Sequence, residues 1–312
     1  RDVAPSRGLG DVYKRQEEFN IIPTDTINIH IDKDALFRSG IMLPKAIRHL
    51  KGEELKDEIP DKLYIPLKDI RALNKVDLLM LEMLANCNWE RPLYLAISVG
   101  SVSKLKFDNY FVQEGLAFRF TPFDYKKWGD ADENRPYAVD VERLYDNVMN
   151  RYKYGGLNTP GLYLDETTLR TCWYHRKLFA QLAKELIAQG DNARAKKVFT
   201  YAEQVVPGYN VPETYESGSY NIAAAYAALG EKMKAITLTE HLIAEAEDYI
   251  NWAFSLKGNR IEMVCNDCIY KFWQWNQYNE LLKKVDEERY QESNRRFEDK
   301  YSLFASTVSY KN

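Results

Sequence analysis

The spacing of small and apolar residues around Gly190 constrains the fold of this chain more than any other feature of the sequence. The positions that flank this glycine at helical intervals are Phe179, Leu182, Ala183, Leu186, Ala195, Phe199 and Ala202, with Pro207 beyond them. The three alanines allow two antiparallel helices to approach closely, and the larger side chains fill the space between them. Gly190 can adopt the left-handed conformation that ends a helix, and Asp191 can cap the next one. The pattern therefore predicts a helical hairpin.

This spacing is that of a tetratricopeptide repeat, a helical hairpin that recurs about every 34 residues and stacks on its neighbours. A second match surrounds Gly230, which lies 40 residues after the first glycine, and residues 208–218 accommodate the excess length. A third and weaker hairpin is predicted from Arg260–Trp275 and Tyr278–Arg289, with its turn at Asn276. A stack of this kind leaves a concave face. It either binds a partner there or only buttresses the rest of the protein.

Strand patterns dominate the first part of the chain. Alternating apolar residues predict strands at 27–31 and 63–67, and Pro66 makes the second an edge strand. A helix that begins after Asn74 follows them. The predicted fold class is an α+β N-terminal unit followed by an all-α tetratricopeptide-like helical hairpin stack. The predicted domains are a small α+β domain at 17–123, a charged linker at 124–138 and the helical domain at 139–312, whereas residues 1–16 resemble a translated cloning adapter and are expected to be non-native or disordered.

The segment Asn86–Val99 lies between an amphipathic helix and a strand. Its turn contains Trp89, Glu90 and Arg91, and the proline that follows can open a strand but cannot sit in the middle of one. Residues 93–99 are almost all apolar, which predicts a strand covered on both faces. The Trp-Glu-Arg cluster has two interpretations. It is either a helix-to-strand corner plugged by Trp89 or part of a binding site.

Composition excludes several classes of function. Lys and Arg number 43 and Asp and Glu 46, which leaves a net charge of −3 and no sign of the basic face that nucleic-acid binding requires. No apolar run approaches the roughly 18 residues that span a bilayer. Cys265 and Cys268 form a C-x-x-C pair on a helical pattern, without the second pair of ligands that a zinc site needs. Packed core thiols, a disulfide or redox pair and a metal site are the alternatives, and we expect core thiols.

The sequence contains no recognisable catalytic constellation. Gly155-Gly156 lacks the Lys-Ser or Lys-Thr that completes a phosphate-binding loop. The nucleophile motif G-x-S-x-G is absent. Acidic pairs such as Glu53-Glu54 occupy adjacent helical positions, which do not face each other. We therefore predict no catalytic residues, no cofactor and no metal site in this chain.

Two segments, together with the repeat pattern, resemble a known family. One is Asn88-Trp89-Glu90-Arg91-Pro92-Leu93-Tyr94, and the other contains Tyr110-Phe111 and Glu114-Gly115-Leu116-Ala117-Phe118-Arg119. Together they resemble the soluble C-terminal part of multi-pass membrane proteins similar to protein O-mannosyltransferases. The motif residues, whose role the resemblance leaves unassigned, are Asn88, Trp89, Glu90, Arg91, Pro92, Tyr94, Tyr110, Glu114 and Gly115.

The resemblance implies a location and a parent protein. Membrane helices would precede this chain, and the chain would lie on the extracytoplasmic, periplasmic side of the membrane. Glycosyl transfer in the family would use a lipid-linked sugar and acidic residues of those missing helices. No catalytic residue can therefore be carried over to this chain, and whether it takes part in an enzyme stays open.

Two functions compete at this point. One is a soluble accessory domain of a membrane-bound glycosyltransferase that binds an acceptor protein, a glycan or a partner subunit and is not catalytic by itself. The other is a free-standing tetratricopeptide adaptor for protein–protein interaction. In either case Tyr209 and Tyr215 are candidate partner-binding residues, because they lie in the long loop between the first two hairpins. The expected partners are the upstream transmembrane region of the parent and a protein or glycan acceptor, with no nucleic acid.

Overall fold

A computed structural model of the chain shows two compact units. It describes residues 24–68, 70, 72–99, 105, 107–256 and 260–309. The first unit contains the described residues up to Phe111 together with Arg119–Ala138. The second contains Val112–Phe118 and the described residues from Val139 onward. The predicted non-native segment 1–16 lies outside the described residues.

The first unit begins with an antiparallel pair of strands, as the alternating pattern predicts. Its helices and strands are β1 (Thr26–His30), α1 (Lys33–Arg38), α2 (Gly52–Glu58), β2 (Lys62–Pro66), α3 (Lys75–Asn86) and β3 (Tyr94–Ala96). Strands β1 and β2 pair in a register that joins Thr26 to Pro66 and His30 to Lys62. Ile29, Leu63 and Ile65 point into the core. Both predicted strands are therefore confirmed.

Helix α3 buries a different face from the one with the most apolar residues. The Asp77 carboxylate accepts a hydrogen bond from the backbone N–H of Asn74 at 2.7 Å and fixes the start of the helix. Asp77, Leu81 and Leu84 face inward, whereas Leu79 is largely exposed. Residues 77, 81 and 84 lie on one side of the helix, so the capping carboxylate of Asp77 is on its buried side.

A second sheet contains short strands in the order β3-β5-β4-β6. The additional strands are β4 (Phe111–Gln113), β5 (Ala117–Phe120) and β6 (Ala138–Val139). The strand predicted at 93–99 is present only over Tyr94–Ala96, and the prediction that it is covered on both faces is wrong. Strand β3 has only three residues, lies at an edge of the sheet and leaves the Tyr94 side chain 49% exposed. Pro92 and the edge position together explain the short strand, because proline offers no N–H for a ladder.

Residues 124–138, whose composition predicts a linker, are packed in the first unit. The Tyr125 side chain is fully buried, and its hydroxyl donates a hydrogen bond to the carbonyl oxygen of Met42 at 2.6 Å. The buried Asp130 carboxylate accepts from the backbone N–H of Lys45 at 2.9 Å. The charged residues between these anchors face solvent, and this explains why the composition of the segment resembles a linker.

The second unit is an all-helical stack, as predicted, apart from its short strand residues. Its helices are α4 (Val141–Asp146), which continues as a π-helical turn (Asn147–Arg151), α5 (Glu166–Ala188), α6 (Asn192–Val205), α7 (Ser219–Ala228), α8 (Lys232–Ser255), α9 (Arg260–Met263), α10 (Cys265–Val285) and α11 (Glu287–Ser309). Gly190 has a φ of +80°, and the Asp191 carboxylate accepts from the Arg194 N–H at 3.0 Å. The sequence prediction of the first hairpin, α5–α6, is confirmed by this cap.

The third hairpin differs from its prediction. Helix α10 continues through Asn276, and the turn lies ten residues later at Asp286. The Asp286 carboxylate accepts from the backbone N–H of Arg289 at 3.3 Å and so caps α11. Trp275 and Tyr278 on either side of the expected turn are fully buried, and their burial holds that part of the chain in the helix. Whether the stack is a tetratricopeptide array in the strict sense stays a prediction.

Candidate functional site

The candidate site is a groove in the helical stack between α6 and α8, with a volume of about 570 Å³. Helix α6 contributes Phe199, Ala202 and Glu203 to one wall, at helical intervals that put them on one side, and Val206 follows directly after the helix. The other wall is α8, and residues of α5 and α7 form the floor. The groove residues contributed by α5, α7 and α8 are Arg176, Phe179, Ile222, Tyr226, Met233, Lys234, Thr237, Leu238 and His241.

The floor and lower walls of the groove are apolar. The rings of Phe199 and Tyr226 pack with their centroids 4.6 Å apart. Ile222 and Leu238 are buried beside them, whereas Met233 projects from α8 with 64% of its side chain exposed. An apolar floor with one exposed, flexible methionine suits an apolar ligand surface of variable shape.

Arg176 fixes the loop that forms one end of the groove. Its buried guanidinium donates to the carbonyl oxygens of Pro212 at 2.7 Å and Val206 at 3.1 Å, and to the Ser217 hydroxyl at 3.2 Å. It also donates to the carbonyl oxygen of Val211. Burial lowers the pKa of Arg176 to about 10, which remains high enough to keep the side chain charged at neutral pH. Arg176 thus helps to hold the extra residues between the hairpins, together with Asn210, whose amide donates to the carbonyl oxygens of Leu157 and Thr159.

Ion pairs join the two helices on either side of the groove. The Lys234 ammonium lies 3.1 Å from the Glu203 carboxylate, which also accepts a hydrogen bond of 2.6 Å from the Tyr226 hydroxyl. Burial, and then the hydrogen bond to Glu203, raise the pKa of Tyr226. A second pair joins Lys196 on α6 to Glu231 before α8 at 2.5 Å. The rim therefore carries charge of both signs over an apolar floor.

The structure gives most residues of the Trp-Glu-Arg motif a place in the fold of the first unit. Trp89 is 5% exposed, and its indole N–H donates to the carbonyl oxygen of His30 at 2.8 Å. Asn88 and Trp89 adopt left-handed φ angles of 46° and 60°. Glu90 is exposed and lies 3.7 Å from Arg38. Arg91 and Pro92 are exposed and border a crevice of only about 10 Å³, which has room for about one water molecule.

The second motif segment is joined to α4 and the turn after it. Arg143 lies 2.8 Å from the buried Glu114 carboxylate, and the Asn147 amide donates to the Glu114 carbonyl oxygen at 2.6 Å. The Tyr152 hydroxyl accepts from the backbone N–H of Leu116 at 2.9 Å and lies directly against Gly115. Tyr110 of the first unit is half-buried against Phe120, with ring centroids 6.1 Å apart. Through these contacts Glu114, Gly115 and Tyr110 take part in the packing of the fold.

Tyr209 and Tyr215, the candidate partner-binding residues, lie outside the groove. Tyr209 is largely exposed, and its hydroxyl donates to the carbonyl oxygen of Asn158 at 2.7 Å. Tyr215 packs against Trp273 with centroids 5.3 Å apart. Sequence reasoning did not find the groove residues Arg176, Lys234 and His241. The sequence contained one signal for the groove, which is the extra length of the loop between the hairpins. This loop follows α6 and precedes the hairpin that contains α8.

The cysteines and the acidic side chains form no candidate group of metal ligands in the described part of the chain. All four cysteines carry free thiols, and burial raises the pKa of Cys268 to about 11. Among the described residues, no group of three or more His, Cys, Asp and Glu side chains could hold an ion. The same residues include no helix that is both long and apolar enough to cross a membrane.

Comparison with known families concerns the first part of the chain. Residues 6–141 match the family model described as TMEM260-associated domain 2. This part of the chain is therefore similar to a domain associated with a membrane-protein family. The match covers less than half of the chain and ends where the helices of the second unit begin. No curated protein matches the chain. No solved structure matches it either.

Proposed function

We propose that this chain is an extracytoplasmic accessory domain of a membrane-bound glycosyltransferase similar to protein O-mannosyltransferases. In this proposal the groove between α6 and α8 holds an acceptor protein or a partner subunit, and the chain transfers no sugar by itself. The groove is the observation that carries the binding function. The membrane context is supported by the family-model match over residues 6–141 and by the motif residues that resemble the mannosyltransferase family.

The dimensions and chemistry of the groove favour a protein ligand. Binding clefts usually have volumes of about 300–1,000 Å³, with apolar linings and a few polar groups that fix orientation. The groove meets this description, since Phe199, Tyr226 and Ile222 line it with apolar surface and Glu203 and Lys234 add charge of both signs. Apolar side chains of a peptide would fill the floor, and the rim would bind its backbone and polar groups.

The polar side chains of the groove are engaged in ways that suit binding better than catalysis. Glu203 accepts a hydrogen bond from Tyr226 and pairs with Lys234. The donors of the Arg176 guanidinium are directed at backbone carbonyls of the adjoining loop. Glu203 therefore holds Lys234 and Tyr226 in place, and Arg176 holds the loop.

The test combines turnover and retention. The purified chain is incubated with lipid-linked mannose and candidate acceptor proteins, and we expect retention of an acceptor without transfer of mannose. Met233→Arg should block the groove and abolish retention. Met263→Arg is the matched control, because Met263 is an exposed methionine on α9 that does not line the groove. Transfer by the isolated chain, or equal retention by both variants, would refute the proposal.

The length of the reading frame that encodes this chain distinguishes the accessory domain from the alternative function, a free-standing adaptor. Repeated apolar stretches of about 20 residues encoded upstream in the same reading frame would support the accessory domain. A reading frame that encodes only this chain would support the adaptor. The groove and its binding test are the same in both cases, so this observation bears on the parent protein alone.

A further inference from the structure

An aromatic cluster lies where the segment before α7 meets α10. We define it as Tyr215, Tyr220, Tyr270, Trp273 and Tyr278. Tyr215 is central, with ring centroids 5.3 Å from Trp273 and 5.8 Å from Tyr220. The rings of Tyr270 and Trp273 are almost parallel, 5.7 Å apart, and are 44% and 45% exposed. One side of the cluster is therefore open to solvent, and it is separate from the groove.

Negative charge adjoins the aromatic cluster. The half-buried Glu216 carboxylate accepts a hydrogen bond of 2.8 Å from the Gln274 amide, and no Lys, Arg or His among the described residues pairs with it. The charge of Glu280 helps to raise the pKa of Tyr220, after burial. Glu245 acts on Tyr278 in the same way but is paired with Lys271 at 2.8 Å. Glu216 is therefore an unneutralised charge beside several ring faces.

Three buried side-chain atoms in or beside the aromatic cluster lack a hydrogen-bond partner. The side-chain oxygen of Gln274 and the hydroxyl of Tyr278 belong to fully buried residues and have no hydrogen-bond partner. One carboxylate oxygen of Glu245 is also buried and has no hydrogen-bond partner. Buried polar atoms are nearly always partnered in folded proteins. The oxygens of Gln274 and Glu245 can only accept a hydrogen bond, whereas the Tyr278 hydroxyl can either accept or donate one.

We propose that the aromatic cluster and Glu216 bind a primary ammonium group, presented by a lysine side chain of a partner protein. An ammonium carries three donors and no acceptor, which matches the half-buried Glu216 carboxylate. Its charge neutralises Glu216, and ring faces within about 6 Å attract it further. A neutral peptide segment or a glycan would leave Glu216 without a counter-charge. This site is independent of the groove and does not rest on the proposed glycosyltransferase context.

In the experiment the full chain is mixed with a short peptide that contains one lysine. Binding of the peptide is measured by calorimetry and by indole fluorescence. The comparison ligand is the same peptide with its lysine acetylated, which removes the charge and keeps the length. We expect the acetylated peptide to bind at least about tenfold more weakly, because the charge-assisted hydrogen bonds are lost. Trp273→Ala should weaken binding about threefold or more. Glu216→Gln should also weaken it, because it preserves the shape of the side chain and removes its charge.

Controls separate this site from general surface effects and from the groove. Trp252→Ala is the matched control, because Trp252 is an equally exposed tryptophan on α8 outside the aromatic cluster. Met233→Arg in the groove should also leave lysine binding unchanged. Circular dichroism verifies that the variants fold. If Glu216→Gln does not fold, Trp273→Ala serves as the decisive variant. Equal binding of both peptides, stronger binding of a mannose oligosaccharide, or an equal effect of Trp252→Ala would overturn the proposal.

Discussion

Replacement of Gly115 by alanine should destabilise the second unit through one defined collision. A Cβ atom at this position would lie 2.0 Å from the Tyr152 hydroxyl and 3.1 Å from the ring carbon that bears it. The hydroxyl must move by more than an ångström, and it then loses the 2.9 Å hydrogen bond from the Leu116 N–H. Overpacking costs about 1–3 kcal/mol and a lost hydrogen bond about 0.5–1.5 kcal/mol, so we expect Gly115→Ala to cost about 2–4 kcal/mol.

A double-mutant cycle with Tyr152→Phe isolates this collision. Tyr152→Phe alone should cost about 1–2 kcal/mol, because the Leu116 N–H loses its acceptor. In that background the hydroxyl is already absent, and only the closer ring carbon remains in the way. Gly115→Ala should therefore cost at least about 1 kcal/mol less in the Tyr152→Phe protein than in the wild type. The free energy of unfolding is measured by urea titration with circular dichroism.

Two outcomes would refute this reasoning. A cost below about 0.5 kcal/mol for Gly115→Ala would place it among ordinary surface substitutions and would mean that Tyr152 does not pack against Gly115. An equal cost with and without the Tyr152 hydroxyl would show that the collision is not the cause. The expected result gives the Glu-Gly part of the family motif a structural role, joining the segment before β5 to the residues after α4.

Further predictions concern a pH dependence and two packing sites. Burial against Tyr152 and Tyr154 lowers the pKa of His175, so the unfolded chain binds its proton more readily. The contribution of neutral His175 to stability is then fully present above about pH 6.5 and is lost as the pH decreases. The free energy of unfolding, measured by urea titration at pH 5–7, should therefore depend less steeply on pH in His175→Phe, by up to about 1.4 kcal/mol per pH unit. An unchanged pH dependence would contradict this prediction. Trp89→Phe should cost the first unit about 1–3 kcal/mol of unfolding free energy, because the His30 carbonyl loses its donor; a neutral effect in urea would count against that hydrogen bond. Ala183→Leu, at a fully buried position of the α5–α6 hairpin, should cost about 1–3 kcal/mol. Ala188→Leu at the exposed end of α5 should not reduce stability. Equal melting temperatures of the Ala183→Leu and Ala188→Leu variants would disprove the close packing at Ala183.

Local patterns predicted those parts of the fold whose causes are local. Alternation identified β1 and β2 because one face of each strand is buried. The glycine at the end of α5 was predictable, because its left-handed cap depends on residues within one turn. The length of α10 was not predictable from Asn276, since its continuation depends on the buried neighbours Trp275 and Tyr278. The first part of the chain is α+β and the rest is helical, as the pattern indicates.

The sites depend on residues far apart in sequence, and this explains why they were harder to predict. Arg176 lies on α5, yet the carbonyl oxygens that it binds are 30 and more residues further along the chain. Glu114 similarly meets Arg143, and neither sequence neighbourhood indicates the other. The motif residues could be named from the sequence, but their contacts could not. Tyr209 and Tyr215 stay candidate binding residues, and only Tyr215 belongs to a cluster for which the structure suggests a ligand.

The central claim is that the groove between α6 and α8 holds a protein partner. Its most direct test is site-specific photo-crosslinking in the native host, with a photoreactive amino acid in place of Met233 in the groove and, separately, in place of Met263, a more exposed methionine on α9. We predict that position 233 crosslinks to an acceptor protein or to the membrane part of the parent, that Thr237→Arg in the groove abolishes this adduct, and that position 263 gives none. The absence of an adduct at position 233, or the same adduct at both positions, would contradict the claim.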